Sequence, residues 1–401
     1  MVTARIRQLP TAAIAAAGAL VWLVSAAVMV HFGRTWHLDL RVYRDAGHAL
    51  VHGGSPFRQD FTASDLPFTY TPFALLVLCP LSFIPLGPAA ALWWLVSAAA
   101  LVATVYLVLT SMTGLPARRA LAVAALLGAV STLALEPVRS NMDYGQINLI
   151  LMLLVVADIT RVRGAWRGVL VGVAASIKLT PLVYLGYFAV ARDRRSLLRG
   201  AGTFVVLTAL SWAVLPADSS LYWFHEVTDA GRTGPVGSVS NQSWNGLLHR
   251  APFHAGHLAS LLWLVLALAT LAVGLVLAGR LVAAGQTARA VFALALTELL
   301  VSPISWSHHW SWLVLAPIMA VSLWRQQRAV AWCMVALVVL GVAAPYWWLG
   351  TGRGPLSFVA GNSLVLAGAV TLVVWVVSVR RSEALREDGP GELPRSADSL
   401  Q

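Results

Sequence analysis

The sequence predicts an all-α protein that crosses a lipid bilayer many times, and three observations support this fold class. Hydrophobic residues make up 58% of the 401 residues and charged residues only 11%, whereas soluble domains carry about 25% charged residues. Apolar runs of about 20 residues, the length that crosses a bilayer core, recur along the chain. The basic residues lie in short connectors between these runs, which is the pattern of cytoplasmic loops.

These connectors set the predicted topology. With the N-terminus and every arginine cluster in the cytoplasm, the chain makes about twelve crossings and leaves two long outer loops, 33–87 and 217–256. The arginine clusters are Arg118-Arg119, Arg161 to Arg167, Arg192 to Arg199, Arg325 to Arg328 and Arg380-Arg381. The net charge of +11 therefore reports topology and does not indicate a nucleic-acid partner.

The chain is predicted to form one membrane domain, residues 1–379, followed by a disordered cytoplasmic tail, residues 380–401, rich in Gly, Pro, Ser and acidic residues. Its first apolar run is interpreted as a retained signal anchor. Residues 136–145 are expected to be a polar outer turn. The full-length predicted crossings are residues 11–31, 88–112, 120–136, 146–159, 200–216, 257–280, 288–304, 310–324, 329–348 and 358–379.

Two apolar segments do not fit a simple crossing. Residues 71–85 are short and contain Pro72 and Pro80, which predicts an interfacial or re-entrant helix on the outer side. Residues 168–190 lie between two arginine clusters, so they are expected to rise and return as two short helices with a turn at 178–181. Alternatively, 71–85 crosses and 168–190 is a single helix, but this places several arginines outside.

The first outer loop and the turn after residue 135 supply candidate reactive groups. Asp39 and Tyr43 are four residues apart, so they share one face if this segment is helical. Burial would raise the pKa of Asp39 and make it a usable general base, although a surface stretch is the alternative. Gln146 and Asn148 belong to an apolar run, where their amides need partners. They would bind polar substrate or bond neighbouring helices.

Further candidates come from a lone lysine and a histidine pair. Lys178 at the tip of a buried hairpin suits a phosphate, helped by Arg139, although snorkelling to the interface is the alternative. His308 and His309 lie among tryptophans without a regularly spaced third ligand, so a hydrogen-bonding or charge-bearing role is preferred to a metal site. Two asparagines in the second loop, Asn241 and Asn245, are of the kind that holds sugars.

One reaction uses all these groups. A lipid-linked sugar phosphate would enter from the bilayer, and a carboxylate would deprotonate an acceptor hydroxyl for direct, inverting displacement at the anomeric carbon. The sequence contains no P-loop, dinucleotide fingerprint or paired aspartates. We therefore expect neither a nucleotide-sugar donor nor a metal or other cofactor.

Several short motifs, taken in this order, resemble glycosyltransferase family 87 of the GT-C superfamily. They are Asp39-Leu40-Arg41-Val42-Tyr43, Tyr70-Thr71-Pro72, Gly145-Gln146-Ile147-Asn148, Lys178-Leu179-Thr180-Pro181, Asn241-Gln242-Ser243 and the segment from Ser302 to Trp310. The resemblance implies a GT-C-like fold, Asp39 as catalytic base and one of the paired histidines in the active site, with His309 slightly favoured. Tyr70-Thr71-Pro72 departs from the family's tyrosine-proline-proline.

The resemblance also implies an activity. The expected enzyme moves mannose from polyprenyl-phosphate-mannose to a mannoside glycolipid, of the phosphatidylinositol mannoside or lipomannan type, in α-(1→2) linkage. It would act on the outer face of the plasma membrane. The alternatives are transfer of another lipid-linked sugar such as arabinofuranose, a secondary transporter, or a membrane scaffold.

Overall fold

The computed structural model describes residues 10–32, 37–251 and 256–387. The first helices and the single β-ribbon among these residues are α1 (Thr11–Phe32), α2 (Leu38–Val51), β1 (Asp60–Phe61), β2 (Leu66–Pro67), α3 (Pro72–Leu78), α4 (Leu86–Met112), α5 (Ala117–Ala134), α6 (Glu136–Tyr144) and α7 (Asn148–Thr160). The strands pair antiparallel, with Asp60 opposite Pro67.

The rest of the described chain is helical. Its α-helices are α8 (Val169–Ile177), α9 (Leu185–Val190), α10 (Arg194–Val214), α11 (Pro216–Phe224), α12 (Trp244–Arg250), α13 (Gly256–Ala283), α14 (Thr287–Val301), α15 (Ala316–Leu323), α16 (Arg328–Ala343), α17 (Pro345–Trp348), α18 (Pro355–Gly361) and α19 (Ser363–Glu387). Short 3₁₀ helices lie at Cys79–Phe83, Gly164–Trp166, Thr180–Tyr184, Glu226–Thr228, Ala230–Thr233 and Ser307–Leu315.

Six of the described helices (α1, α4, α5, α10, α13 and α19) are long and apolar enough to cross a membrane, or seven if α6 and α7 form one bent span. Large apolar side chains are exposed on several of them, for example Leu23, Val206 and Leu261, which fits lipid as the surrounding solvent. The all-α polytopic fold class is confirmed. The larger number of crossings expected from the arginines includes helices of fewer than 18 residues, namely α7, α8, α9, α14, α15 and α16.

Residues 136–145 form helix α6 and not the expected turn. Pro137 occupies the first turn of α6, where its missing N–H costs nothing. Gly145 ends the helix with φ 71°, and the chain bends by 114° into α7. A Cβ at Gly145 would lie 2.8 Å from the Cβ of Leu40, so this corner requires glycine for both its backbone angle and its close contact.

The two unusual apolar segments are short helices. Residues 72–83 form α3 and a 3₁₀ turn, and 12 helical residues rise only about 20 Å. Residues 168–190 are interrupted at Lys178, whose backbone is extended with φ −143° and ψ 135°. The alternative of one continuous helix through this segment is therefore wrong. The final helix continues past Arg380, where the tail was expected to begin, to Glu387.

The predicted loops and connectors collect at opposite ends of the bundle. At one end the first loop contacts the second, since Arg232 donates to the carbonyl oxygen of Phe57 at 2.9 Å. At the other end Arg199 donates to the carbonyl of Gly164 at 2.7 Å, joining two arginine connectors. Helices α7 and α14 run between these ends. We call them the loop end and the arginine end.

Candidate active site

A cavity of about 420 Å³ opens at the loop end and is lined by five of the ten predicted site residues. Asp39, Gln146, Lys178, His308 and His309 all line it. They come from four separate parts of the chain. The structure therefore brings together the carboxylate, the cation and the imidazoles that the sequence analysis singled out.

Asp39 lies in the first turn of α2, where the unpaired backbone N–H groups and the helix dipole favour a negative charge. The chain enters this helix through His37, whose N–H donates to the carbonyl of Asp143 at 2.8 Å. Burial raises the pKa of Asp39 to about 6, while a hydrogen bond from Gln146 and the charge of Lys178 oppose the rise. A carboxylate with this pKa is ionised at neutral pH and still basic enough to accept a proton.

A chain of hydrogen bonds from buried side chains leads to the carboxylate of Asp39. The hydroxyl of Tyr43 donates to that of Tyr70 at 2.9 Å, and Tyr70 donates to Oε1 of Gln146 at 2.7 Å. This leaves the amide N–H₂ of Gln146 for the bond to Asp39. Tyr43 is fully buried and lies outside the cavity lining, so the structure places it behind Tyr70, and its predicted contact with substrate stays a prediction. Tyr70 itself lines the cavity.

Lys178 projects from the break between α8 and the next 3₁₀ helix. Its Nζ donates to Oδ1 of Asn148 at 2.8 Å and lies 3.0 Å from Nε2 of His309. The ammonium group also lies 5.5 Å from the ring centre of Tyr70. An ammonium has three N–H donors, so one remains for a ligand in the cavity. Asn148 therefore positions the lysine, and its predicted contact with substrate stays a prediction.

The two histidines differ in how their ring nitrogens are used. Nε2 of His309 accepts from Lys178, and the ring also bonds the backbone of Ile304. His308 is only 6% exposed and lines the cavity, yet neither ring nitrogen has a partner among the described residues. Buried polar atoms are nearly always hydrogen-bonded. His308 thus has free hydrogen-bonding capacity for a ligand, whereas His309 holds Lys178.

Thr71 explains the departure from tyrosine-proline-proline. Its Oγ1 accepts from the N–H of Ala74 at 3.1 Å and so caps α3. The same hydroxyl donates to the carbonyls of Ser176 and Ile177 at the end of α8. A proline could make neither contact. Thr71 therefore ties α3 to the helix end that carries Lys178.

The second-loop amides support the cavity wall without lining it. Nδ2 of Asn241 donates to the carbonyl of Pro303 at 3.3 Å, and its Oδ1 accepts from the N–H of Ser305 at 2.8 Å. Asn245 donates to Pro303 at 3.1 Å. Both amides are thereby used in holding the segment before the histidines. The structure places both outside the cavity lining, and their predicted contact with sugar stays a prediction.

Arg139 also lies away from the cavity. Its side chain is exposed on α6 and is not part of the cavity lining. The cavity is instead completed by second-loop residues that the sequence analysis did not single out, including Tyr222, Glu226 and Arg232. Arg232 pairs with Glu226, and the only sequence signal for this pair was its place in a long loop.

Glu136 is a further carboxylate whose role was missed. It is 2% exposed and accepts from Ser140 at 2.6 Å, from Ser307 at 3.0 Å, from Trp347 at 2.9 Å and from Tyr346. Four donors compensate the cost of burying this group. Because Ser307 adjoins His308, Glu136 anchors the histidine segment to α6 and α17.

The helical bundle and its cavity define a polytopic membrane enzyme in which a basic carboxylate and an ammonium group face the same space. A profile of glycosyltransferase family 87 matches residues 68–303. The chain belongs to this family, which confirms the resemblance noted from its motifs.

Curated relatives of known activity cover most of the chain. A "polyprenol-phosphate-mannose-dependent alpha-(1-2)-phosphatidylinositol pentamannoside mannosyltransferase" of Mycolicibacterium smegmatis is 35% identical and covers 85% of this chain and 84% of its own length. A "polyprenol-phosphate-mannose-dependent alpha-(1-2)-phosphatidylinositol mannoside mannosyltransferase" of Mycobacterium tuberculosis is 32% identical over 82% of this chain and 81% of its own. A second Mycolicibacterium smegmatis protein with the latter name is 36% identical over 86% and 85%.

Proposed function

We propose that this protein transfers mannose from polyprenyl-phosphate-mannose to a phosphatidylinositol mannoside in α-(1→2) linkage. The observation that carries the proposal is the common cavity of Asp39 and Lys178 in a chain that is 32–36% identical to mannosyltransferases with this donor. The carboxylate and the cation are the two groups that a displacement from a phosphate ester requires. The family membership favours this reaction over transport.

The reaction assigns each side chain a step. Asp39 removes the proton from the acceptor hydroxyl, whose oxygen attacks the anomeric carbon. The bond from that carbon to the phosphate oxygen breaks, and the polyprenyl phosphate leaves with the additional negative charge. Lys178 stabilises this charge through its remaining N–H, while Asn148 and His309 hold the ammonium in place. The two unpaired nitrogens of His308 supply hydrogen bonds to different sugar hydroxyls.

The orientation follows from the arginines. Five basic connectors were assigned to the cytoplasm, and two of them meet at the arginine end. The loop end and its cavity would then face the outside of the plasma membrane. There the donor's phosphate lies at the level of the lipid headgroups, and no nucleotide-sugar is needed. Cysteine labelling of intact cells at exposed Gln59 in the first loop and exposed Arg118 at the arginine end tests this orientation.

The relatives' acceptors narrow the substrate class without selecting one member. The names of the relatives differ between phosphatidylinositol mannoside and its pentamannoside, and the identities of 35% and 36% do not separate them. We therefore propose the phosphatidylinositol mannosides as a class. The lipid profile of a deletion strain should show which intermediate accumulates.

The activity is tested with purified full-length protein in lipid nanodiscs. Labelled polyprenyl-phosphate-mannose and a phosphatidylinositol mannoside should give a product one hexose longer, from which an α-(1→2)-mannosidase releases the label. Unlabelled polyprenyl-phosphate-arabinofuranose should not compete. Efficient competition together with arabinose transfer would assign the other lipid-linked sugar. Labelled GDP-mannose without polyprenyl phosphate serves as the negative control.

A further inference from the structure

A second cavity, of about 610 Å³, lies at the arginine end and takes no part in the reaction proposed above. Its lining includes Thr160 at the end of α7 and Thr287 at the start of α14. The opposite ends of the same two helices lie beside the first cavity, where Asn148 and Ser302 are found. Helices of 13 and 15 residues separate the two spaces by about 20 Å.

The charged residues that line this cavity are all arginines. They are Arg161, Arg163, Arg167 and Arg289. Arg167 is paired with Asp193 at 3.5 Å. In the described parts of the chain, no carboxylate oxygen lies within 4 Å of the other three. The cavity therefore concentrates positive charge that the described residues do not neutralise.

The three unpaired arginines are nevertheless held in place by neutral groups. Arg289 donates to Oε1 of Gln286 at 2.8 Å and to the carbonyl of Ser322 at 3.0 Å. Arg161 donates to the hydroxyl of Thr110. Each guanidinium has five N–H donors, so several remain free after these bonds. A positioned guanidinium with free donors is suited to oxyanions, above all to phosphate.

Neighbouring groups fit an anion as well. The carboxylate of Asp158, which precedes the arginines in the chain, accepts from the N–H groups of Gly168 at 2.7 Å and Val171 at 2.9 Å. Its charge acts on Arg167, but in the described parts of the chain its oxygens do not pair within 4 Å with the other three arginines. The first N–H groups of α14 lack intrahelical acceptors and add to the positive potential. Ser111 and Thr287 contribute hydroxyl donors to the lining.

We propose that this cavity is a binding site for an anionic phosphate group, separate from the site of sugar transfer. The group is either the headgroup phosphate of an anionic lipid or a free phosphate. Trp166, which is 73% exposed beside the basic connector, is a residue type that accumulates at the membrane interface. Basic pockets between membrane helices are suited to lipid phosphates.

Two experimental arms distinguish the sources. In the first, inorganic phosphate is titrated into the purified full-length protein in a neutral detergent, with the melting temperature as readout. In the second, the protein is extracted from phosphatidylcholine vesicles that contain phosphatidylglycerol, and retained lipid is measured by native mass spectrometry. Stabilisation in the first arm alone assigns a free phosphate. Selective retention of phosphatidylglycerol assigns a lipid headgroup. Binding in neither arm overturns the proposal.

The matched variants are the double substitution Arg161→Gln and Arg289→Gln and the control Arg118→Gln. Arg118 is an exposed arginine at the same end, outside the cavity lining. The double variant should weaken binding roughly tenfold or more, since two charge-assisted hydrogen-bonding groups are lost. The control should bind as the unmodified protein does. Equal binding by the double variant would refute the site, provided that its melting temperature without ligand shows it to be folded. None of these readouts depends on mannose transfer.

Discussion

The two long loops meet at one end of the bundle, but their polar side chains are used differently. The first loop brings Asp39 and Tyr70 to the cavity. In the second loop, the amides of Asn241 and Asn245 form hydrogen bonds with carbonyl and N–H groups of residues 303–305. Both loops contain motifs that resemble the same family. A motif can therefore mark either a group that reacts or a group that holds another in place.

The largest effect should come from the carboxylate of the first loop. Asp39→Asn removes the base and should lower mannose transfer roughly 1,000-fold, within the range for general-base catalysis. The measurement is initial rate in nanodiscs with saturating donor. Asp45→Asn on the same helix is the control, and it should retain nearly full activity because Asp45 lies outside the cavity lining. Comparable activity in Asp39→Asn would remove the assigned base.

The next effect tests the phosphate contact. Lys178→Gln should lower kcat roughly 100-fold, because an electrostatic contact to the developing charge of the leaving group is lost. Single-turnover rates separate this loss from weaker donor binding. Asn148→Ala, which removes the bond that orients the ammonium, should cause a smaller loss in the same direction. If kcat remains unchanged in Lys178→Gln, another group stabilises the phosphate.

The pH dependence of the rate tests the state of the base. Burial raises the pKa of Asp39 to about 6, and only the deprotonated form accepts a proton. The rate should therefore be flat near neutral pH and fall about tenfold for each pH unit well below 6. Gln146→Leu removes a hydrogen bond that favours the carboxylate, so it should move this acidic limb to higher pH. A limb unaffected by Gln146→Leu would argue against Asp39 as its source.

Second-loop variants should affect stability more than chemistry. Asn241→Ala leaves the N–H of Ser305 and the carbonyl of Pro303 without this partner, which costs about 1–3 kcal/mol for each buried group. The melting temperature should fall clearly. Asn245→Ala removes one such bond and should have a smaller effect. If Asn241→Ala instead raises KM for the acceptor at unchanged stability, the amide contacts sugar after all.

The smallest effect is expected at Arg139. Because its side chain is exposed and outside the cavity lining, Arg139→Gln should change transfer less than about twofold, as is usual for exposed charges. Donor KM is the relevant measurement. A tenfold increase in that KM would restore the phosphate-binding role expected from sequence. Arg139 would then belong with the residues that bind substrate, although it lies outside the cavity lining.

Sequence patterns predicted the groups whose positions depend on local order. Asp39 and Tyr43 share a helix face because they are four residues apart. Lys178 lies at a break between α8 and α9. Pro181 disfavours a continuous helix there, and the arginine clusters on both sides leave room only for two short helices. Asp39 and Lys178 both lie at helix ends. The ends of neighbouring helices meet on one side of a membrane, which explains why these groups converge.

The remaining assignments depend on contacts between distant segments. The backbone of Asn241 forms a β-bridge with Trp306, and its side-chain amide bonds Pro303 and Ser305. Glu136 collects donors from Ser307 and Tyr346, far along the chain. An amide or a carboxylate has the same sequence signal whether it faces a ligand or a backbone group. Only the tertiary path of the chain separates these two uses.

The corner at Gly145 fixes the position of the helix that carries Asp39. Its contact with Leu40 and the bond from His37 to Asp143 join the helix of the base to the bent α6–α7 pair. A close-packed junction of this kind has no room for hinge motion. Asp39, the proposed base, is thus held against the bent α6–α7 pair, which is a candidate membrane span.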